Sequence, residues 1–188
     1  MTTNHNADQH ELSLAFSDEL TKQVQSLYNE QTIYDTLATT LSVMHAHLNN
    51  GVQFAYFEGA DDYWHKPKSL DIYITEPNEG RELNLDARGK DYATNILSYP
   101  AMLPGELLTA LPSVQLGELI ICHDVIAKEA NEQGKTFTHH LQHLVVHGVL
   151  HLLGFDHEIS DADADEMEGF EIEILAKLGV DNPYQADE

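Results

Sequence analysis

His147-Gly148-Val149-Leu150-His151-Leu152-Leu153-Gly154-Phe155-Asp156-His157 carries two messages in one stretch of chain. Histidines four residues apart on a helix project from the same face, so the imidazoles of His147 and His151 can reach a single ion. Leu141, Leu144, Val145, Val149, Leu152 and Leu153 surround them and make the helix apolar enough to be buried. Gly154 follows the second histidine by three residues and supplies the left-handed conformation that ends a helix at low cost. His157 then closes the set from outside the helix. An imidazole without a partner is costly in so apolar a setting. The spacing therefore predicts one zinc ion per chain held by His147, His151 and His157. Three neutral ligands leave the fourth tetrahedral position to water, which is the form of a catalytic rather than a structural site.

His143 lies one turn further up the same face, but His143 and His151 are separated by about 12 Å of straight helix at roughly 1.5 Å per residue. That is too far for one ion at bonds of about 2 Å, so His143 reads as a packing or supporting residue. His139 and His140 read as the exposed start of the helix. Asp156 either orients an imidazole or satisfies its own turn. His5 and His10 fall in a polar stretch without periodicity, residues 1–10, read as a flexible tail preceding a single metal-dependent hydrolase domain over 11–188.

Working outward, Leu12, Leu14 and Phe16 alternate like a half-buried strand, and Ser17 with Asp18 and Glu19 resembles a helix start. Helical spacing runs through Ile33, Leu37, Leu41, Met44 and Leu48 until Asn49-Asn50-Gly51. Val52–Phe57 and Leu70–Thr75 read as strands. Pro77 opens a short helix to Leu83, a polar turn covers 86–91, and Thr94–Tyr99 is a strand ended by Pro100. Residues 101–116 read as a loop, Glu118–Cys122 as a strand, and Asp124 to Asn131 as a helix. Ser160 caps a last helix with Met167, Phe170, Ile174, Leu175 and Leu178 inside and Gly179 at its end. This order predicts an α+β domain, a small mixed sheet of about four strands packed with helices, with the metal-binding helix central.

The chain has 188 residues, 42% of them hydrophobic, which suits one domain with a real core. It lacks an N-terminal secretion signal and any apolar run near the length of a membrane span, so a cytoplasmic location without a membrane partner is expected. Cys122, the single cysteine, lies in an apolar run and reads as a small buried hydrophobe. The net charge is −23 with only nine Lys and Arg residues, which argues against a nucleic-acid partner, DNA included, and predicts at most weak binding to bare RNA. Nine acids fall between Asp156 and Glu173, the pattern of a solvated helix face. Arg81 and Arg88 are the only arginines available to grip an anion with planar donors.

Zinc peptidases of the metzincin group share this histidine spacing but place a glutamate directly after the first histidine as general base. Gly148 occupies that position here, which counts against peptide hydrolysis by the usual route. A phosphodiester instead needs its developing negative charge neutralised, a task for an arginine beside the ion.

Beyond the histidine motif, the chain contains Leu83-Asn84, Arg88-Gly89-Lys90-Asp91, Thr94-Asn95-Ile96-Leu97-Ser98-Tyr99-Pro100, Gly117-Glu118-Leu119-Ile120-Ile121-Cys122, and Met167 with Glu171. In these pieces it resembles the YbeY family of bacterial single-strand endoribonucleases. The resemblance implies a zincin-like α+β fold, zinc on the three histidines and a catalytic role for Arg88 in the active cleft; pairing of Arg88 with the phosphate oxygens, helped by Lys90, is the working mechanism. It also implies a cytoplasmic enzyme of ribosomal RNA processing, notably maturation of the small-subunit RNA 3′ end, and of ribosome quality control. Its partners would be ribosomal RNA and a ribosomal particle or ribosome-associated protein. The rival readings are a zinc metallopeptidase and a non-catalytic zinc-containing ribosome-assembly factor.

Overall fold

The computed structural model describes residues 9–185. Strand β1 (Glu11–Phe16) leads to the short helix α1 (Lys22–Gln25) and the long helix α2 (Glu30–Asn49). A 3-10 turn (Ala60–Asp62) precedes β2 (Lys68–Thr75), α3 (Pro77–Arg88) and β3 (Ile96–Pro100). The rest is α4 (Gly105–Ala110), β4 (Val114–Cys122), α5 (His123–Glu132), α6 (Phe137–Leu153) and α7 (Asp161–Lys177). The sheet has the order β1-β2-β4-β3. β1, β2 and β4 run parallel, and β3 pairs antiparallel with β4 at one edge. This is the expected mixed four-stranded α+β arrangement.

Alternation accounts for the strands: Leu70, Ile72 and Ile74 of β2 are buried while Asp71 is exposed. Between Ser69 and Leu70 the pairing with β4 skips one residue, Leu116, and Gly117 takes up the bulge at φ +138°. A Cβ at Gly117 would fall 2.2 Å from the Tyr99 carbonyl oxygen, so only glycine permits β3 to approach here. α6 is central in packing terms. It contacts β3, β4, α2, α5 and α7, and Leu141, Val145, Val149, Leu152 and Leu153 are buried.

Several boundaries differ from the sequence reading, each for a local reason. The first helical region is two helices, because Thr21 and Asn29 each cap a new start by accepting the N–H of Val24 and Thr32. Ser17 caps only a turn, accepting the Glu19 N–H. Val52–Phe57 is not a strand. Phe54 and Phe57 both meet Trp64 edge-on, and Tyr56 N–H donates to the Leu153 carbonyl, so the segment closes over the end of α6 as a loop. α3 continues to Arg88 rather than stopping at Leu83, its sheet-facing side being the small or polar Gly80 and Asn84, and Gly89 ends it at φ +69°. The expected loop 101–116 contains α4 and the start of β4. α4 is secured from a distance: the Lys66 ammonium donates to the carbonyls of Leu108, Thr109 and Leu111 at its C-terminal end. His10, assigned above to the tail, belongs to the fold, with Lys68 N–H donating to its Nδ1. His5 lies outside the described residues. No helix among the described residues is long and apolar enough to cross a membrane.

Candidate metal centre

Thr136 starts α6 by accepting the His139 N–H, and Gly154 stops it at φ +107°. Residues 155–157 then fold back beside the helix. A Cβ at Gly154 would lie 2.8 Å from the Ala55 Cβ and 2.9 Å from the Tyr56 nitrogen, so glycine is required for both its φ and its neighbours. The result brings His147, His151 and His157 together: one ligand nitrogen from each lies within 4.8 Å of the others. The Nε2 atoms of His147 and His151 converge to 2.9 Å, and His157 approaches from the turn, its ring 5.2 and 5.3 Å from the other two. Burial, aided by the neighbouring His147 and His157, pulls the His151 pKa down to about 4. Its ring is therefore neutral at physiological pH, the form a cation requires.

The residue that fixes this geometry entered the sequence reading only as part of the family resemblance, with no role assigned. Glu171 of α7 is fully buried, and its carboxylate accepts hydrogen bonds from His147 Nδ1–H and the Tyr184 hydroxyl, with His143 Nε2 at 3.5 Å. A carboxylate on Nδ1 fixes the proton there and leaves the Nε2 lone pair of His147 facing the other histidines. Burial alone would raise the Glu171 pKa, but hydrogen bonds from His143, His147 and Tyr184 hold it down to about 2. The available signal was spacing: Glu171 falls four residues after Met167 and three before Ile174, on the inner face of a helix. His143 thus supports the centre through Glu171. His140 is buried rather than exposed, 3.5 Å from Glu129, because α5 covers the start of α6; His139 is exposed as expected. Asp156 accepts the Glu158 N–H and so satisfies its own turn.

The three histidines open onto a cleft of about 540 Å³ between α6 and the edge strand β3. Arg88, delivered by the end of α3, lines it together with Asn95, Ser98, Tyr56 and Tyr99. The Arg88 guanidinium is 3.5 Å from Glu158, just beyond the third histidine. Arg81 is committed elsewhere, gripping both oxygens of Asp91 at 2.6 and 2.9 Å. Lys90 does not line the cleft. Gly148 faces the sheet: a Cβ there would meet Ile96 and Leu119 side chains at 2.8 Å. A base cannot stand at this position without displacing the sheet.

A mixed α+β fold, with three convergent histidines at the end of its buried helix and a cleft along an edge strand, defines a candidate metal-site hydrolase without the peptidase glutamate. Residues 36–179 match the model of the family described as Endoribonuclease YbeY, and the chain belongs to that family. A relative of that name from Psychrobacter cryohalolentis is 57% identical over 150 residues, 79% of this chain and 97% of its own length. Another from Psychrobacter arcticus is 58% identical over 139 residues, covering 73% of this chain and 68% of its own. One from Acinetobacter baumannii is 55% identical over 116 residues, 62% and 73% of the two chains. The solution structure of TM1509 from Thermotoga maritima superposes with a TM-score of 0.45 at 20% identity, covering 94% of this chain and 97% of the other.

Proposed function

We propose that this protein is an endoribonuclease of ribosomal RNA processing that cuts single strands, with a zinc ion on His147, His151 and His157 and Arg88 on the scissile phosphate. Maturation of the small-subunit RNA 3′ end and quality control of ribosomes in the cytoplasm are its expected settings, with a ribosomal particle or protein presenting the RNA. The carrying observation is the convergence of the three histidines at a cleft that also contains Arg88. The donor set fits zinc, being three imidazoles of which one is fixed by Glu171 and one is held neutral by burial. When bound, the ion supplies Lewis-acid polarisation of a phosphodiester oxygen and acidifies water.

The chain's own residues supply the remainder. Arg88 offers a planar fork to the phosphate oxygens as charge accumulates on them. Glu171 keeps the proton on His147 Nδ1. Tyr56 and Tyr99, both exposed on the cleft, present ring faces on which unpaired bases stack, which favours single strands over duplex. Against a peptidase stands Gly148, packed on the sheet where the base would be needed.

The test is metal content and cleavage of a single-stranded oligoribonucleotide by matched preparations of wild type, His147→Ala and Arg88→Ala. His147→Ala should lose both metal and cleavage, and Arg88→Ala cleavage alone. A doubly substituted His147→Ala, His151→Ala protein that cuts as well as wild type would overturn the reading.

A further inference from the structure

The RNA-facing problem of this protein is charge, since nine cations accompany 32 acids. Four of the nine have structural duties. Lys66 holds the end of α4, Lys68 donates to the Trp64 carbonyl beside its ring, Arg81 grips Asp91 and Lys128 pairs with Glu132 at 3.8 Å. Two are placed differently. Arg88 lines the metal cleft, while Lys135, in the loop between α5 and α6, lines a second cavity of about 340 Å³. The two cavities meet, because Asn95 and His147 line both.

Lys135 is half-buried, and its ammonium forms no salt bridge or hydrogen bond among the described residues. A cation partly stripped of water and without a contact partner gains more than an exposed one from an arriving anion. Among the described residues lining this cavity the carboxylate is Glu129, which accepts from Asn95 Nδ2 at 3.3 Å, faces His140 Nε2 at 3.5 Å and acts on the Lys135 ammonium only through space, partly offsetting its burial. Beside Lys135 stands Tyr184, 43% exposed, whose hydroxyl is tied to Glu171 and whose ring meets His143 edge-on at 5.6 Å. An exposed ring with its hydroxyl tied down is a ready platform for a base.

Resting on the nuclease reading above, we infer that the cavity of Lys135 and Tyr184 is a nucleotide subsite for the strand leaving the metal centre on the side away from Arg88. The Lys135 ammonium takes a flanking phosphate and the Tyr184 ring takes the base. A strand laid from Arg88 past His147 to Lys135 meets a cation at each end, so an acidic protein binds a polyanion along one narrow track.

The experiment compares wild type, Lys135→Gln and Lys135→Arg by anisotropy with a labelled single-stranded oligoribonucleotide over a salt series, and by cleavage of oligonucleotides shortened from either end. One lost phosphate contact lowers the salt slope by about 0.7, which is about fivefold in Kd at 0.1 M salt. Lys135→Gln should show that loss, and Lys135→Arg should recover it. Trimming the strand at one end should cost wild type the same factor and Lys135→Gln nothing further. Equal salt slopes for wild type and Lys135→Gln, or trimming penalties that simply add, would overturn the subsite. Absence of His147-dependent cleavage would instead sink the nuclease reading, and the binding series would still decide whether Lys135 takes a phosphate.

Discussion

Glu171 offers the sharpest test of how the centre is held. Its carboxylate accepts from His147 and Tyr184 and stands 3.5 Å from His143, with no exposure to solvent. In Glu171→Gln the amide oxygen can still accept from His147 Nδ1–H, and the amide N–H₂ can turn toward the Tyr184 oxygen. The bonds survive and only their charge assistance is lost, a difference of about 1 kcal/mol. Glu171→Ala removes the acceptor outright, so nothing keeps the proton on Nδ1 and the imidazole samples the tautomer whose Nε2 cannot ligate. Loss of such an outer partner costs about 10–100-fold in metal affinity, or about 1.4–2.7 kcal/mol. The expected order of zinc affinity is therefore wild type, then Glu171→Gln, then Glu171→Ala. Competition against a chromophoric chelator measures it, with circular dichroism on the same samples to establish that each variant is folded. A folded Glu171→Ala protein that binds zinc as tightly as wild type would refute the argument.

Gly148→Glu places a carboxylate against Ile96 and Leu119 and should cost several kcal/mol through burial of charge and overpacking; urea denaturation should show this, and a stable variant with peptidase activity would contradict it. Gly154→Ala should destabilise by about 1–2 kcal/mol from the left-handed backbone alone, and by more from its approach to Ala55 and Tyr56. Gly51→Ala is the control, with φ +98° and nothing within 4 Å, and equal thermal shifts for the two would remove the packing argument. His123, buried and 2.8 Å from the Tyr28 hydroxyl, has its pKa lowered by burial, with Asp124 opposing. The folded protein resists the proton that the unfolded chain accepts below about pH 6.5, so acidification through that range should erode stability. His123→Gln should lose less stability than wild type between pH 7 and pH 5 by urea titration, and parallel curves would show that His123 contributes nothing.

What was legible in the sequence is what short-range periodicity encodes. Leu70, Ile72 and Ile74 alternate, and Leu141 through Leu153 follow a helical repeat around the histidines, so β2 and α6 follow from spacing alone. The stops at Gly154 and Pro100 were equally local, and so was the convergence of His147, His151 and His157, since all three lie within eleven residues. The failures depend on distant partners. α4 holds its end through Lys66, about forty residues earlier in the chain. Val52–Phe57 is shaped by Trp64 and by the end of α6 rather than by a strand partner. Glu171 was named only through the family resemblance, and its role became visible when the fold set it against His147. Arg88 resembled a turn residue because α3 is poor in apolar side chains, its sheet contact being made through Gly80 and Asn84.

Gly148 and His147 are neighbours in sequence with opposite duties, and the centre depends on both. Because Gly148 has no side chain, α6 lies close enough to β3 and β4 for Ile96 and Leu119 to fill the space over its backbone. That proximity brings the edge strand beside His147, so residues 95–100 form the far wall of the histidine cleft. A larger residue at 148 would push helix and strand apart and widen the cleft while leaving all three histidines on the chain. Glycine at 148 therefore does more than leave out a peptidase base: it sets the separation between the three histidines and the edge strand. Gly148→Ala tests this separately from stability. The methyl should cost about 1–3 kcal/mol in overpacking, against about 1 kcal/mol gained in helix propensity, so the variant folds. Zinc affinity should remain near wild type while the KM for a single-stranded oligoribonucleotide rises. A fall in zinc affinity with KM unchanged would mean that Gly148 acts on the histidines and not on the cleft.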